Sequence, residues 1–189
     1  MIVSPPPNLC SALGIIKMKE FIKKLQLQLQ ILQLQLQVLL LKRRLTVPNL
    51  PKPRFIIIHH EGGNAGFANV NEWHRQVWNF RSSLGFYCGY QLYLSKGGNW
   101  FRARSDFEEG AHCPGHNKDS VGICVQGDYS PGKDVLAPEL NYKLINKVDE
   151  LRLKYGIPKS NVLGDKEGRV PSRPTACPMG LMEWVIKYR

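Results

Sequence analysis

The sequence predicts an α/β domain with a central buried strand, preceded by a long amphipathic helix, and three observations carry that reading. Phe55-Ile56-Ile57-Ile58 is an apolar, mostly β-branched run that ends abruptly in His59-His60. Branched side chains fit a pleated sheet, so this run has the composition of a fully buried central strand. Strand-like and helix-like segments then alternate to the C-terminus. Ahead of them, from Leu25, Leu and Gln repeat in a seven-residue frame.

The buried strand organises the rest. Gly62-Gly63 breaks it into a loop, and the carboxyl end of a central strand opens into the crevice where such sheets carry their chemistry. His59 and His60 are neighbours in a strand and so face opposite sides, which lets one of them point into a given site. Asn71 to Trp78 reads as a helix that buries Val70, Trp73 and Val77, with His74 on its surface or rim. Gly89-Tyr90-Gln91-Leu92-Tyr93-Leu94 and Trp100-Phe101-Arg102-Ala103, joined through Gly97-Gly98, form a hairpin. Ser120 to Val125 is a second buried strand behind a polar loop, Gly110 to Asn117. Pro138 opens a helix that buries Leu140, Leu144, Val148, Leu151 and Tyr155 and ends at Gly156. Val162-Leu163-Gly164-Asp165, a basic loop, Thr175-Ala176-Cys177-Pro178 and a short helix with Met182, Trp184 and Val185 complete the chain.

The front of the chain differs in kind. Residues 1–16, with Pro5-Pro6-Pro7, read as a flexible tail that has neither the apolar run nor the cleavage site of a secretory signal. Over residues 17–45, Met18, Ile22, Leu25, Leu29, Leu32, Leu36 and Leu39 follow alternating three- and four-residue steps, as does Ile15 ahead of them. That is the seam of a coiled coil. Leu27, Ile31, Leu34, Val38 and Leu41 form a second stripe on nearly the opposite face. A helix with two apolar stripes does not bury both alone, so self-association into a homo-oligomer is expected. The alternation inside each unit is also that of an aggregation-prone strand. Interspersed Gln argues against a membrane span. Residues 46–53 hold Pro48, Pro51 and Pro53 and form a semi-rigid linker, placing the main domain at 54–189.

Charge and cysteine usage narrow the function classes. The net charge of +11 is concentrated in residues 1–53, where eight Lys or Arg face one acid, Glu20. Such a front suits an anionic surface, whether wall polymer or lipid headgroups, and a nucleic-acid reading rests on charge alone, with no sequence-specific motif. The five cysteines, Cys10, Cys88, Cys113, Cys124 and Cys177, show no paired spacing. That favours reduced thiols over a disulfide framework, with one thiol free to serve as a ligand.

The order of motifs resembles a known family. His59-His60 after a strand, Trp73-His74 in a helix, Gly89-Tyr90 opening a strand, Gly110-Ala111-His112 with Gly115-His116-Asn117, Ser120-Val121-Gly122-Ile123, and Thr175-Ala176-Cys177-Pro178 together are similar to the zinc-dependent N-acetylmuramoyl-L-alanine amidases of phage-lysozyme type, related to peptidoglycan recognition proteins. The resemblance spans 54–189 and implies a mixed central β-sheet flanked by helices, with zinc in a groove and peptidoglycan as substrate. It implies metal ligation by His59 and Cys177, catalytic assistance from Tyr90 and Thr175, and hydrolysis of the bond between N-acetylmuramic acid and L-alanine by zinc-activated water. Where the family carries a second ligand in a Gly-His pair, this chain has Gly164-Asp165. Aspartate is an acceptable zinc ligand, and Lys166, Arg169 or Arg173 would offset its charge. His60, His112, His116 and Asn117 are expected to contact substrate, with His112 and His116 at the groove rim. The alternative is a catalytically weak or inactive peptidoglycan-binding module, with Asp165 not bound to metal. Synthesis in the cytoplasm with action at the cell wall is the expected localisation.

Overall fold

The computed structural model describes residues 9–46 and 52–189, and within the N-terminal helix the side chains of residues 17–39. The chain divides into two units, residues 1–46 and 47–189. In the first, a single helix, α1, runs over Leu9–Thr46. It begins eight residues before the expected start at residue 17, so the segment read as tail is helical from Leu9 onward. Most of the proline-rich linker and Pro5-Pro6-Pro7 lie outside the described residues, as does the side chain of Cys10.

The second unit holds a mixed five-stranded sheet. Its strands are β1 (Phe55–His60), β2 (Leu92–Leu94), β3 (Trp100–Arg102), β4 (Ser120–Val125) and β5 (Val162–Gly164), in the order β3-β2-β4-β1-β5. Strand β1 is an interior strand, parallel to both β4 and β5, while β4 is the middle strand and β2 joins it in parallel. The expected hairpin supplies the one antiparallel pair, β2 with β3. The period of two sorts the side chains of the central strands onto two faces. Ile56, Ile58, Val121, Ile123 and Val125 pack with Leu140, Leu144, Val148 and Leu151 of α3 (Pro138–Tyr155), and with Leu181 and Val185. Cys124 and Tyr93 face the other way, against Val70 and Phe67 of α2 (Phe67–Trp78).

Helix α3 buries the five residues its spacing predicts and stops at Gly156, whose φ of 69° is the left-handed region glycine tolerates. Helix α2 starts earlier than expected and turns a different side inward. Val70 and His74 are buried, four residues apart, whereas Trp73 and Val77 are more than half exposed. The placement of His74 at the surface is therefore corrected: its Nδ1 accepts a hydrogen bond from the Gly89 N–H at 2.8 Å. That bond outweighs hydrophobicity in choosing the buried face, because Gly89 would otherwise be an unpaired buried donor. The basic loop after β5 opens with a short helical turn, α4 (Asp165–Gly168), and the chain ends in α5 (Leu181–Tyr188).

Candidate metal centre

The parallel register of β1 and β5 builds the site. Ile58 lies opposite Gly164, so Asp165 follows beside His59 at the carboxyl ends of both strands. Cys177 is folded back onto them by one backbone tie, and a local bond to the Thr175 side chain shapes the turn that carries it. The Lys166 N–H donates to the Cys177 carbonyl at 2.7 Å, and the Cys177 N–H donates to Thr175 Oγ1 at 3.2 Å. Gly164 makes the approach feasible, since a Cβ there would lie 2.2 Å from Met182 Sδ and 2.8 Å from Pro178 Cδ.

Three donors of different chemistry then converge. His59 Nδ1 stands 3.5 Å from Asp165 Oδ2 and 3.8 Å from Cys177 Sγ, and the three donor atoms all lie within 4.8 Å of one another. Two ligands bound at ordinary zinc distances around a tetrahedron sit roughly 3.3–3.6 Å apart. The His59 separations therefore need only small adjustment to share one ion. His59 and Asp165 are buried, and Cys177 is half-buried. Among the described residues this is the group of His, Cys and acidic side chains suited to a metal.

Electrostatics around the donors are specific. Burial alone would raise the Asp165 carboxyl, but His59 and Arg169 outweigh it and hold the group at about 2. Arg169 Nε lies 2.9 Å from each carboxylate oxygen and Nη2 lies 2.8 Å from Oδ2. Of the three nearby cations, Arg169 is the one that forms an ion pair with Asp165. Burial, with the neighbouring Asp165 adding to it, pushes the Cys177 thiol up to about 12. A divalent cation reverses that preference, because it favours the thiolate.

His112 lines a pocket with Trp78, Ala111, Pro114, Asn117, Arg169 and Arg173, but as a buried residue and not at a rim. It is buried behind His59, with Nδ1 3.0 Å from His59 Nε2. Its ring lies over Gly122 of β4, where a Cβ would come within 2.7 Å of ring carbons. A glycine inside a buried strand marks such a close approach, and it is the sequence signal that would have placed His112 indoors. Metal ligation through His59 Nδ1 requires the lone pair of that nitrogen, and in that form the His59 proton resides on Nε2 and is donated to His112 Nδ1. His112 then donates from Nε2 to Ser120 Oγ at 3.4 Å, and Ser120 donates to the His116 carbonyl. In that form every member of this chain has one donor facing one acceptor, which suits His59 to present Nδ1 to a metal. Burial holds His112 well below its ordinary pKa and so keeps it neutral.

The other expected residues are spread unevenly. The Tyr90 ring is 4.9 Å from that of His59, and burial first, then neighbouring thiols, holds its hydroxyl proton well above the usual range. Thr175, two residues before Cys177, is half-buried. His60 points to the opposite face of the sheet, where its Nδ1 accepts from the Tyr129 N–H at 3.3 Å. His116 is also not at a rim near the three donors: it pairs with Asp119 at 3.0 Å and packs on Phe55, at the amino end of β1. Asn117 shapes the loop by accepting the N–H groups of His112 and Cys113 through Oδ1. Cys88, Cys113 and Cys124 are free and buried, as reduced thiols.

Comparison with known proteins agrees with this architecture. No curated protein sequence matches the chain. Among solved structures, the N-acetylmuramoyl-L-alanine amidase LysC from Clostridium intestinale URNW is similar over 72% of this chain and 84% of its own, with 26% identity and a TM-score of 0.59. Drosophila PGRP-LB shares the fold at 23% identity over 74% of this chain and 84% of its own, with a TM-score of 0.59. The Ph2119 endolysin from Thermus scotoductus MAT2119 bacteriophage Ph2119 does so at 20% identity, covering 72% of this chain and 84% of that one, with a TM-score of 0.58. The model of the N-acetylmuramoyl-L-alanine amidase family matches residues 49–180, well over half of the chain, and from its β1 strand to the turn after Cys177 this protein belongs to that family.

Proposed function

We propose that residues 54–189 form a zinc-dependent peptidoglycan amidase that hydrolyses the amide between the lactyl group of N-acetylmuramic acid and L-alanine. The observation that carries this reading is the convergence of His59 Nδ1, an Asp165 carboxylate oxygen and Cys177 Sγ within 4.8 Å at the carboxyl ends of β1 and β5. Imidazole, carboxylate and thiolate are ordinary zinc ligands, and three protein ligands are the number found in catalytic sites. When bound, the metal supplies Lewis acidity toward the scissile carbonyl and lowers the pKa of water.

The chain's own residues do the remainder. His59 presents Nδ1 because His112 accepts its Nε2 proton. Arg169 neutralises Asp165, so the second anionic donor does not quench the site's electrophilicity. Tyr90, held protonated, and the Thr175 hydroxyl donate hydrogen bonds to the oxygen on which negative charge develops. The substrate's glycan and peptide approach from the crevice outside the strand ends.

One observation favours a second reading, a peptidoglycan-binding module without hydrolysis: Arg169 already contacts both oxygens of Asp165. Purified walls separate the two. The enzyme solubilises walls and exposes new L-alanine amino termini in proportion to bound zinc. The binder cosediments with walls and exposes none. The basic front and the apolar stripes of α1 support attachment to an anionic surface and coiled-coil self-association, and action at the cell wall follows from the substrate.

A further inference from the structure

The structure assigns α1 a role as an assembly element that joins more than two copies of this chain in an open array, each helix gripped on two sides. The described part of α1 offers two seams of comparable exposure. Leu25, Leu29, Leu32, Leu36 and Leu39 form one, Leu27, Ile31, Leu34 and Val38 the other, and all are between 47% and 61% exposed. In a heptad of 3.5 residues per turn the first seam occupies the a and d positions and the second c and f. Their centres then lie roughly 154° apart, on nearly opposite sides.

That angle decides the stoichiometry. A two-stranded coiled coil covers the a/d seam and leaves the c/f seam in water on both helices. Those outward seams are apolar and exposed to a similar degree as the seam that drove the first pairing, so a third and fourth helix add to them. Closing a ring with so flat an angle would take roughly fourteen helices, so growth stays open-ended for small assemblies.

The occupant is another copy of the same helix, for two reasons on the page. Residues 25–31 and 32–38 are the same unit, differing only at Ile31 and Val38, so a partner shifted by seven residues pairs as well as one in register. Every position between the seams in those units is Gln, and no charged residue occurs from 25 to 41. There is thus no charge pattern to select a different partner or to repel a like one. A lipid surface fits poorly. A helix lying on a membrane has one apolar and one charged face, whereas here either orientation leaves an apolar seam in water. No helix among the described residues is long and apolar enough to cross a membrane. Where the amidase reading holds, the array presents several sites to one polymer and raises avidity.

The test is sedimentation velocity of the full chain across a dilution series, in buffer and with anionic vesicles. The wild type should have a weight-average mass above twice that of the chain, rising with concentration. Leu27→Gln with Leu34→Gln, or Leu29→Gln with Leu36→Gln, should each stop at a discrete dimer. All four together should give a monomer whose amidase domain melts at the wild-type temperature. A wild type that is monomeric, or dimeric at every concentration, overturns the inference. So does a chain that is monomeric in buffer and assembles only on vesicles. None of these readouts depends on zinc or walls, so failure here is distinct from failure of the amidase reading.

Discussion

Replacing His112 by Phe tests the hydrogen-bonded chain behind the metal centre. Phe keeps an aromatic ring over Gly122 but removes the acceptor of the His59 Nε2 proton. His59 is 1% exposed, so the orphaned N–H finds no water. A buried donor without a partner costs about 1–3 kcal/mol. Relief of that cost by moving the proton to Nδ1 would block the nitrogen that faces Asp165 and Cys177. Either way zinc affinity should fall by about 10–100-fold, the usual consequence of losing a partner behind a metal-bound histidine. The assay is zinc competition against a chromophoric chelator at fixed pH, with circular dichroism to confirm the fold. His112→Gln, whose amide oxygen restores an acceptor, should recover most of the loss. A folded His112→Phe protein that binds zinc within about twofold of wild type would refute the reasoning.

Three further outcomes follow from the same geometry. Arg169→Gln leaves the Asp165 carboxylate, 1% exposed, without its cation, so the metal-free protein should lose about 2–4 kcal/mol in denaturant unfolding, a loss that saturating zinc largely reverses. Cys177 holds its proton up to about 12 in the metal-free protein, so zinc binding should release about one proton near pH 7. Calorimetry in buffers of different ionisation enthalpy reads this release, and Cys177→Ala should abolish it. His74 is held at about 4 by burial first and then by the positive charge of Arg104. Its folded value lies below the unfolded value of about 6.5, so the unfolded chain takes up the proton first. Stability is then intact above pH 6.5 and declines by at most roughly 3 kcal/mol as pH falls to about 4. His74→Gln should flatten that window in pH-dependent melts and leave the separate decline below pH 3.8, where Asp165 titrates, in place.

What the sequence reveals and what it conceals divide along physical lines. Phe55 to Ile58, Ser120 to Val125 and the Leu140-to-Tyr155 stripe are legible because their burial is written in local apolar period and in the punctuation of Gly and Pro. The convergence of His59, Asp165 and Cys177 is legible only through motif order, since nothing local shows that β5 lies beside β1. His112 and His74 mislead for a shared reason. A polar ring is buried when a distant segment supplies its hydrogen bond, here His59 for the one and Gly89 for the other. Gly122 carries a trace of the buried His112 ring, because a side chain there would collide with it, whereas a side chain at Gly89 would collide with the Ala111 carbonyl and leave no sign of His74. The choice of Arg169 over Lys166 and Arg173 is likewise set by the turn of α4. Four residues on from Asp165, Arg169 returns to the same side of the helical turn.

The most direct measurement is X-ray absorption at the zinc edge of the full chain reconstituted with one equivalent of metal. The account predicts a four-coordinate ion with one sulfur at about 2.3 Å and the remaining ligands nitrogen or oxygen at about 2.0–2.2 Å, the sulfur being lost in Cys177→Ala. A protein that retains no zinc, or a zinc shell without sulfur, would contradict it.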